Sequence, residues 1–156
     1  YYDAHANILH AHSQESENAM PVNVLVVDDN RVFRNAFCEL LNSCYDNLQI
    51  VPAADGSAAL SLTRQISFDL IILDYELSSF SGGDVVRRLR ARGTSLPPIV
   101  LMSAHPDIPV FARLHMVSGF LQKPIDADAL HLVLDPFIKQ PSLRSAGPTL
   151  WRIQPQ

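Results

Sequence analysis

Four residues stand where chemistry is most easily done: Asp28, Asp29, Asp74 and Lys123. Asp28 and Asp29 follow the apolar run Val24-Leu25-Val26-Val27, and Asp74 follows Leu70-Ile71-Ile72-Leu73. Lys123 ends a later short run, Phe120-Leu121-Gln122. β-Branched runs that stop abruptly at acidic residues read as buried parallel strands delivering carboxylates to one sheet edge. Ligands of open α/β sheets bind just beyond that edge. Three carboxylates gathered there repel one another unless a divalent cation or a proton neutralises them. The pattern predicts a hard metal ion and, beside it, a carboxylate able to act as a nucleophile.

The elements that must position these groups alternate along the chain. Val22–Val27 reads as a strand, and Asn30 can cap a helix from Arg31 to Cys44 whose apolar face carries Val32, Phe33, Ala36, Phe37, Leu40 and Leu41. A short strand, Gln49–Ala53, turns at Asp55-Gly56 into a helix led by Ser57, with Ala58, Ala59, Leu62 and Ile66 inward. Asp69–Leu73 is the third strand, followed by a polar loop over Tyr75–Ser81. Gly82-Gly83 precedes a helix with Val85, Val86 and Leu89 inward and Arg87, Arg88, Arg90 and Arg92 outward. Pro98–Met102 is a fourth strand, Ile108–Met116 a weak helix and Gly119–Gln122 a fifth strand. A last helix carries Leu130, Val133, Leu134, Phe137 and Ile138 at helical spacing. Five strands alternating with five helices predict right-handed crossovers and a parallel sheet covered on both faces.

Composition narrows the function classes. A chain of 156 residues, 47% hydrophobic, fits one globular domain plus tails. Its formal charge of −4 supplies no electrostatic drive for direct nucleic-acid binding. No apolar stretch approaches the ~20 residues that span a bilayer, and no signal-peptide pattern opens the chain. Cys38 and Cys44 read as small core-facing residues rather than a disulfide framework, which favours a reducing, cytoplasmic setting. Residues 1–20 are polar and aperiodic, and are expected to be a disordered leader or an artificial extension. His5, His10 and His12 within them lack the spacing of a dedicated metal site. Residues 140–156 read as a linker and tail; Leu150–Gln154 alternates as one more strand would, the start of a truncated output domain or a docking tail.

Taken in order, Val24–Asp29, Leu73-Asp74, Met102-Ser103-Ala104 and Phe120–Pro124 resemble the response-regulator receiver domain of two-component signalling. The turns at Ala54-Asp55-Gly56 and Ser81-Gly82 also fall where that family places them. The resemblance covers residues 22–139, and 21–139 are assigned to the domain. It implies a flavodoxin-like, doubly wound five-stranded sheet in the order 2-1-3-4-5. It implies further that Asp74 accepts a phosphoryl group as an acyl phosphate. Asp28, Asp29 and Asp74 would hold Mg²⁺ together with the backbone carbonyl of Glu76. Lys123 would give a compact cation to one phosphoryl oxygen and Ser103 a hydroxyl to another. A cis peptide is expected between Lys123 and Pro124. The donor would be a sensor histidine kinase or a phosphotransfer protein, and a downstream output domain or protein would read the result, with homodimerisation left open. The protein would be a self-phosphorylating switch rather than a turnover enzyme. Ser103 and Phe120 occupy the positions that move on activation, remodelling the fourth helix, fifth strand and fifth helix.

Several residues depart from the family pattern. Phe120 lacks the hydroxyl of a tyrosine, so its inward state must rest on packing. The interval from Ser103 to Lys123 is shorter than usual, and the turn before the fifth strand reads His115-Met116-Val117-Ser118. Pro106 and Pro109 fall early in the fourth helix, which should be short or displaced. Ser78 replaces the usual proline after the acceptor and should loosen that loop. Glu76 and His105 flank the path of a hydrolytic water, and a carboxylate at Glu76 is expected to slow loss of the phosphate. Haloacid-dehalogenase-like phosphatases share the aspartyl nucleophile, Mg²⁺ and lysine, but need a nucleophile after the first strand and an aspartate where Glu76 stands. A phosphorylation-independent binding module on the same fold is the other alternative.

Overall fold

The computed structural model describes residues 20–139; His5, His10, His12 and the alternating Leu150–Gln154 segment lie outside them. Five parallel strands are present: β1 (Val22–Val27), β2 (Leu48–Ala53), β3 (Leu70–Asp74), β4 (Ile99–Ser103) and β5 (Gly119–Gln122). They lie in the order β2-β1-β3-β4-β5, as the resemblance implied. Between and after them run α1 (Arg31–Cys44), α2 (Gly56–Gln65), α3 (Gly82–Arg90), α4 (Ile108–Leu114) and α5 (Ala127–Ile138). The strand registers bring Val27, Leu73, Leu101 and Phe120 abreast across the four central and edge strands.

Side-chain alternation along each strand divides the core in two. Leu25, Val27, Ile71, Leu73 and Leu101 pack with Val85, Val86 and Leu89 under α2, α3 and α4. Val24, Val26, Ile72, Met102 and Leu121 pack with Phe37, Leu41, Leu130 and Leu134 under α1 and α5. Continuing the same parity past the strand ends sends Asp28, Asp74 and Lys123 toward the α1–α5 face. Ser103 and Phe120 fall on the opposite parity, toward α4.

Side-chain caps fix four helix starts. Asn30 Oδ1 accepts from Phe33 N–H, Asp55 Oδ1 from Ala58 N–H and Asp126 Oδ1 from Ala129 N–H. Ser81 and Asp84 form a reciprocal capping box on α3. α4 has no side-chain cap, begins with Pro109 in its first turn and spans only seven residues, the short element its prolines predict. The chain leaves it through Met116, whose φ of 46° lies in the left-handed region, in the His115-Met116-Val117-Ser118 turn before β5. Arg90 at the end of α3 holds that turn by donating to the carbonyls of His115 and Met116. Arg92, expected to point outward, instead donates to Leu60 O and Thr63 Oγ1 and ties α3 to the end of α2. No helix among the described residues is long and apolar enough to cross a membrane.

Candidate functional site

The two loops that carry the acids leave adjacent central strands. Asp28, wholly buried, extends β1 and accepts the N–H of Asn30 on Oδ1 at 2.8 Å. Arg34, one turn into α1, donates to the Asp28 backbone carbonyl at 2.6 Å. Asp29 is exposed at the mouth. Asp74, 3% exposed, ends β3, and its Oδ1 receives the Glu76 N–H at 3.4 Å. Oxygens of Asp28, Asp29 and Asp74 lie within 4.8 Å of one another. An all-oxygen donor set of three carboxylates suits a hard, octahedral cation such as Mg²⁺ and suits soft metals poorly.

Lys123 reaches this cluster from the position just after β5 and is followed by a cis Lys123–Pro124 peptide. Its Nζ stands 2.8 Å from Asp28 Oδ2 and 3.4 Å from Asp74 Oδ2, with the side chain 17% exposed. Burial pushes the Asp74 carboxyl up to about 6, with the Asp28 charge adding to the rise; Lys123 and the Glu76 N–H act against it. One ammonium is thus set against three acids, which leaves the pocket short of positive charge.

The far side of the pocket is built by Ser103 and Glu76. Ser103, wholly buried at the end of β4, donates its hydroxyl proton to Glu76 Oε2 at 2.9 Å and accepts the His105 N–H at 2.9 Å. The His105 ring is exposed and receives the Asp107 N–H on Nδ1, turned to the loop rather than to Asp74. Phe120 is partly buried against the α2–α3–α4 core. Tyr75, next to the acceptor, stacks on Phe111 of α4 with centroids 4.3 Å apart and planes at 12°.

Two loop residues close the frame. A Cβ on Gly82 would stand 2.5 Å from the Asp74 carbonyl oxygen, so only glycine lets α3 start against the acceptor strand. Ser78, expected to loosen its loop, makes one tether of its own to the acidic cluster. Its N–H donates to Asp29 Oδ2 at 2.9 Å, a bond a proline at that position could not make.

The sequence-predicted residues Asp28, Asp29, Asp74, Lys123, Ser103 and Glu76 therefore converge, whereas His105 and Phe120 sit behind the pocket. Phe33 was missed as a member of the site. It reads as part of the α1 apolar stripe, yet the Lys123 Nζ lies over its ring, 3.9 Å from the centroid. The available signal was its place in the first turn of a helix that starts at the acidic edge.

With the geometry in hand, comparison places the chain among known proteins. Residues 24–135 match the family model described as "Response regulator receiver domain". The nitrate/nitrite response regulator NarP of Escherichia coli is 30% identical over 113 residues, covering 72% of this chain and 53% of that protein. A protein-glutamate methylesterase/protein-glutamine glutaminase of Nocardioides is 31% identical over 113 residues, covering 70% of this chain and 31% of that protein. The chain thus spans about half or less of each relative's length. The solved structure of the chemotaxis response regulator CheY4 of Vibrio cholerae superposes with a TM-score of 0.67 at 25% identity, covering 76% of this chain and 99% of that one.

Proposed function

The chain belongs to the response-regulator receiver family of two-component signalling, and from that premise we propose that it is a phosphoacceptor switch whose acceptor is Asp74. The observation that carries this reading is the meeting of three carboxylates within 4.8 Å of one another, on a sheet edge where a single ammonium bridges Asp28 and Asp74. A pocket so short of positive charge is suited to a divalent cation and to the spread negative charge of a transferring phosphoryl group.

In the proposed reaction an Asp74 carboxylate oxygen attacks the phosphorus of a phosphohistidine on a partner kinase or phosphotransfer protein. The P–N bond breaks, and the imidazole keeps the electron pair and takes a proton from solvent. Asp28, Asp29, Asp74 and the Glu76 carbonyl would hold Mg²⁺, which when bound neutralises phosphoryl oxygens. Lys123, released from Asp28, would follow the charge onto one phosphoryl oxygen. Ser103 would turn its hydroxyl onto another, which requires it to leave Glu76; the Glu76 carboxylate therefore holds the resting state and would repel the hydrolytic water afterwards. Movement of Ser103 frees space for Phe120 to repack and alters the α4–β5–α5 surface. Residues 21–139 are the receiver unit in this proposal. The setting in this proposal is cytoplasmic.

Acetyl phosphate and Mg²⁺ followed by intact mass test the reading. The protein should gain the mass of one phosphoryl group, and Asp74→Ala should gain none. No gain in the wild type, or a gain that survives in Asp74→Ala, overturns it and leaves a phosphorylation-independent binding module.

A further inference from the structure

We propose that Phe33 is a positioning residue for phosphoryl acceptance: its ring face holds the Lys123 ammonium toward Asp74. The inference rests on the reading of Asp74 as acceptor. An ammonium has three N–H donors on a flexible four-carbon stem. In Lys123 one N–H goes to Asp28 Oδ2 at 2.8 Å, and Asp74 Oδ2 stands within ion-pair distance at 3.4 Å. The ring of Phe33, 3.9 Å from Nζ, covers a further side, and the lysine side chain is only 17% exposed. A ring face attracts a cation through its quadrupole, most strongly where water is excluded.

The ring does something a third carboxylate could not. It offers no lone pair in the plane of the acids, so it holds the cation without competing for the N–H that must pass to a phosphoryl oxygen. When Asp28 gives up Lys123, the ring contact persists and keeps the ammonium from swinging to solvent.

Phe33 is itself held rigidly. Its N–H donates to the Asn30 cap at 3.0 Å, and its ring stacks on Phe37 with centroids 5.7 Å apart and planes at 12°. Phe37 is buried beneath Leu41 and the β1 side chains, so the ring stands on the core.

Three variants at position 33 test the assignment: Phe33→Leu, Phe33→Tyr and a ring-fluorinated phenylalanine, which keeps the shape and removes the negative ring face. Each is read two ways. NMR of the chelated protein reports the Lys123 ε-proton shifts, while intact mass follows the rate of phosphorylation by acetyl phosphate with Mg²⁺. The wild-type ε-protons should show a ring-current displacement that Phe33→Tyr keeps and Phe33→Leu loses. Phosphorylation should slow roughly five- to tenfold in the leucine and fluorinated variants, and stay near wild type in Phe33→Tyr. Unshifted ε-protons in the wild type, or a fluorinated variant phosphorylated at the wild-type rate, overturn the proposal. The fluorinated variant decides the matter should Phe33→Leu fail to fold. A wild type that gains no phosphoryl mass overturns the reading of Asp74 and this positioning role with it, while the NMR arm still reports whether the ring holds the ammonium.

Discussion

Asp74 and Asp135 are both aspartates drawn into polar clusters at element ends, and the fold treats them in opposite ways. At Asp74, burial and the neighbouring Asp28 push the carboxyl up to about 6, and Lys123 with one N–H only partly offsets them. At Asp135, burial also raises the carboxyl, but hydrogen bonds from Lys139, His131 and Tyr45 outweigh it and hold the group below its usual range. Tyr45 Oη donates to Asp135 Oδ1 at 2.8 Å, Lys139 Nζ to Oδ2 at 2.7 Å, and His131 Nδ1 lies 3.1 Å from Oδ1. That clasp joins the end of α1 to α5 and satisfies its one acid completely. The sheet-edge pocket gives each of its acids a hydrogen-bond donor but sets a single ammonium against their three charges. Structure is served by closing an electrostatic account; the pocket is left open, and an open site is what a cation and a phosphoryl group can complete.

The sharpest way to break this contrast is to remove the one cation that pairs with the pocket carboxylates among the described residues. Lys123→Met in chelated protein should lose about 3 kcal/mol in urea unfolding, because it leaves the wholly buried Asp28 beside Asp74 with the Asn30 N–H but no opposing charge. Added Mg²⁺ should restore much of it. A loss below about 1 kcal/mol would mean that the pocket was not short of positive charge.

The same substitution at the two aspartates should then act with opposite sign. Asp74→Asn should stabilise the chelated protein at neutral pH by about 2–3 kcal/mol. The sign follows from the raised carboxyl. The folded value near 6 exceeds the ordinary aspartate value of 3.8, so the charged form penalises folding fully above pH 6. The penalty disappears as pH falls toward 3.8, where wild type and Asp74→Asn should melt alike. A stability gap that does not narrow with acid would place the strain elsewhere.

The smallest effect is expected at the clasp, whose residues are partly exposed. Asp135→Asn should destabilise by about 1 kcal/mol, discounted for solvent screening. A depressed carboxyl stabilises above the unfolded value and loses that contribution as pH falls through its lowered folded value. The gap between wild type and Asp135→Asn should therefore hold from neutral pH to the ordinary carboxylate range and close only in stronger acid. A neutral or stabilising Asp135→Asn would erase the distinction between the two clusters.

The strands and the convergence of Asp28, Asp29, Asp74 and Lys123 were legible in the sequence because each follows a short apolar run. In a parallel sheet the carboxyl ends of such runs must share one edge. The short α4 was legible from Pro106 and Pro109. Pairings across loops were not. Glu76 and Ser103 are 27 residues apart, and Ser78 and Asp29 are 49 apart, so nothing local announces either bond. Tyr45 and Asp135 are 90 apart, although His131, Asp135 and Lys139 at four-residue spacing already mark one exposed helix ridge. Phe33 misled for another reason: periodicity assigns a side chain to a face of its helix and cannot say that the first turn overhangs the sheet.

The stack of Tyr75 on Phe111 ties two mismatched neighbours. One flanks the acceptor on a loop clamped by the start of α3; the other rides a two-turn helix with no side-chain cap at its start. A shift of Tyr75 would therefore be felt first at Phe111, so the shortest helix among the described residues is coupled face to face to the residue beside the chemistry.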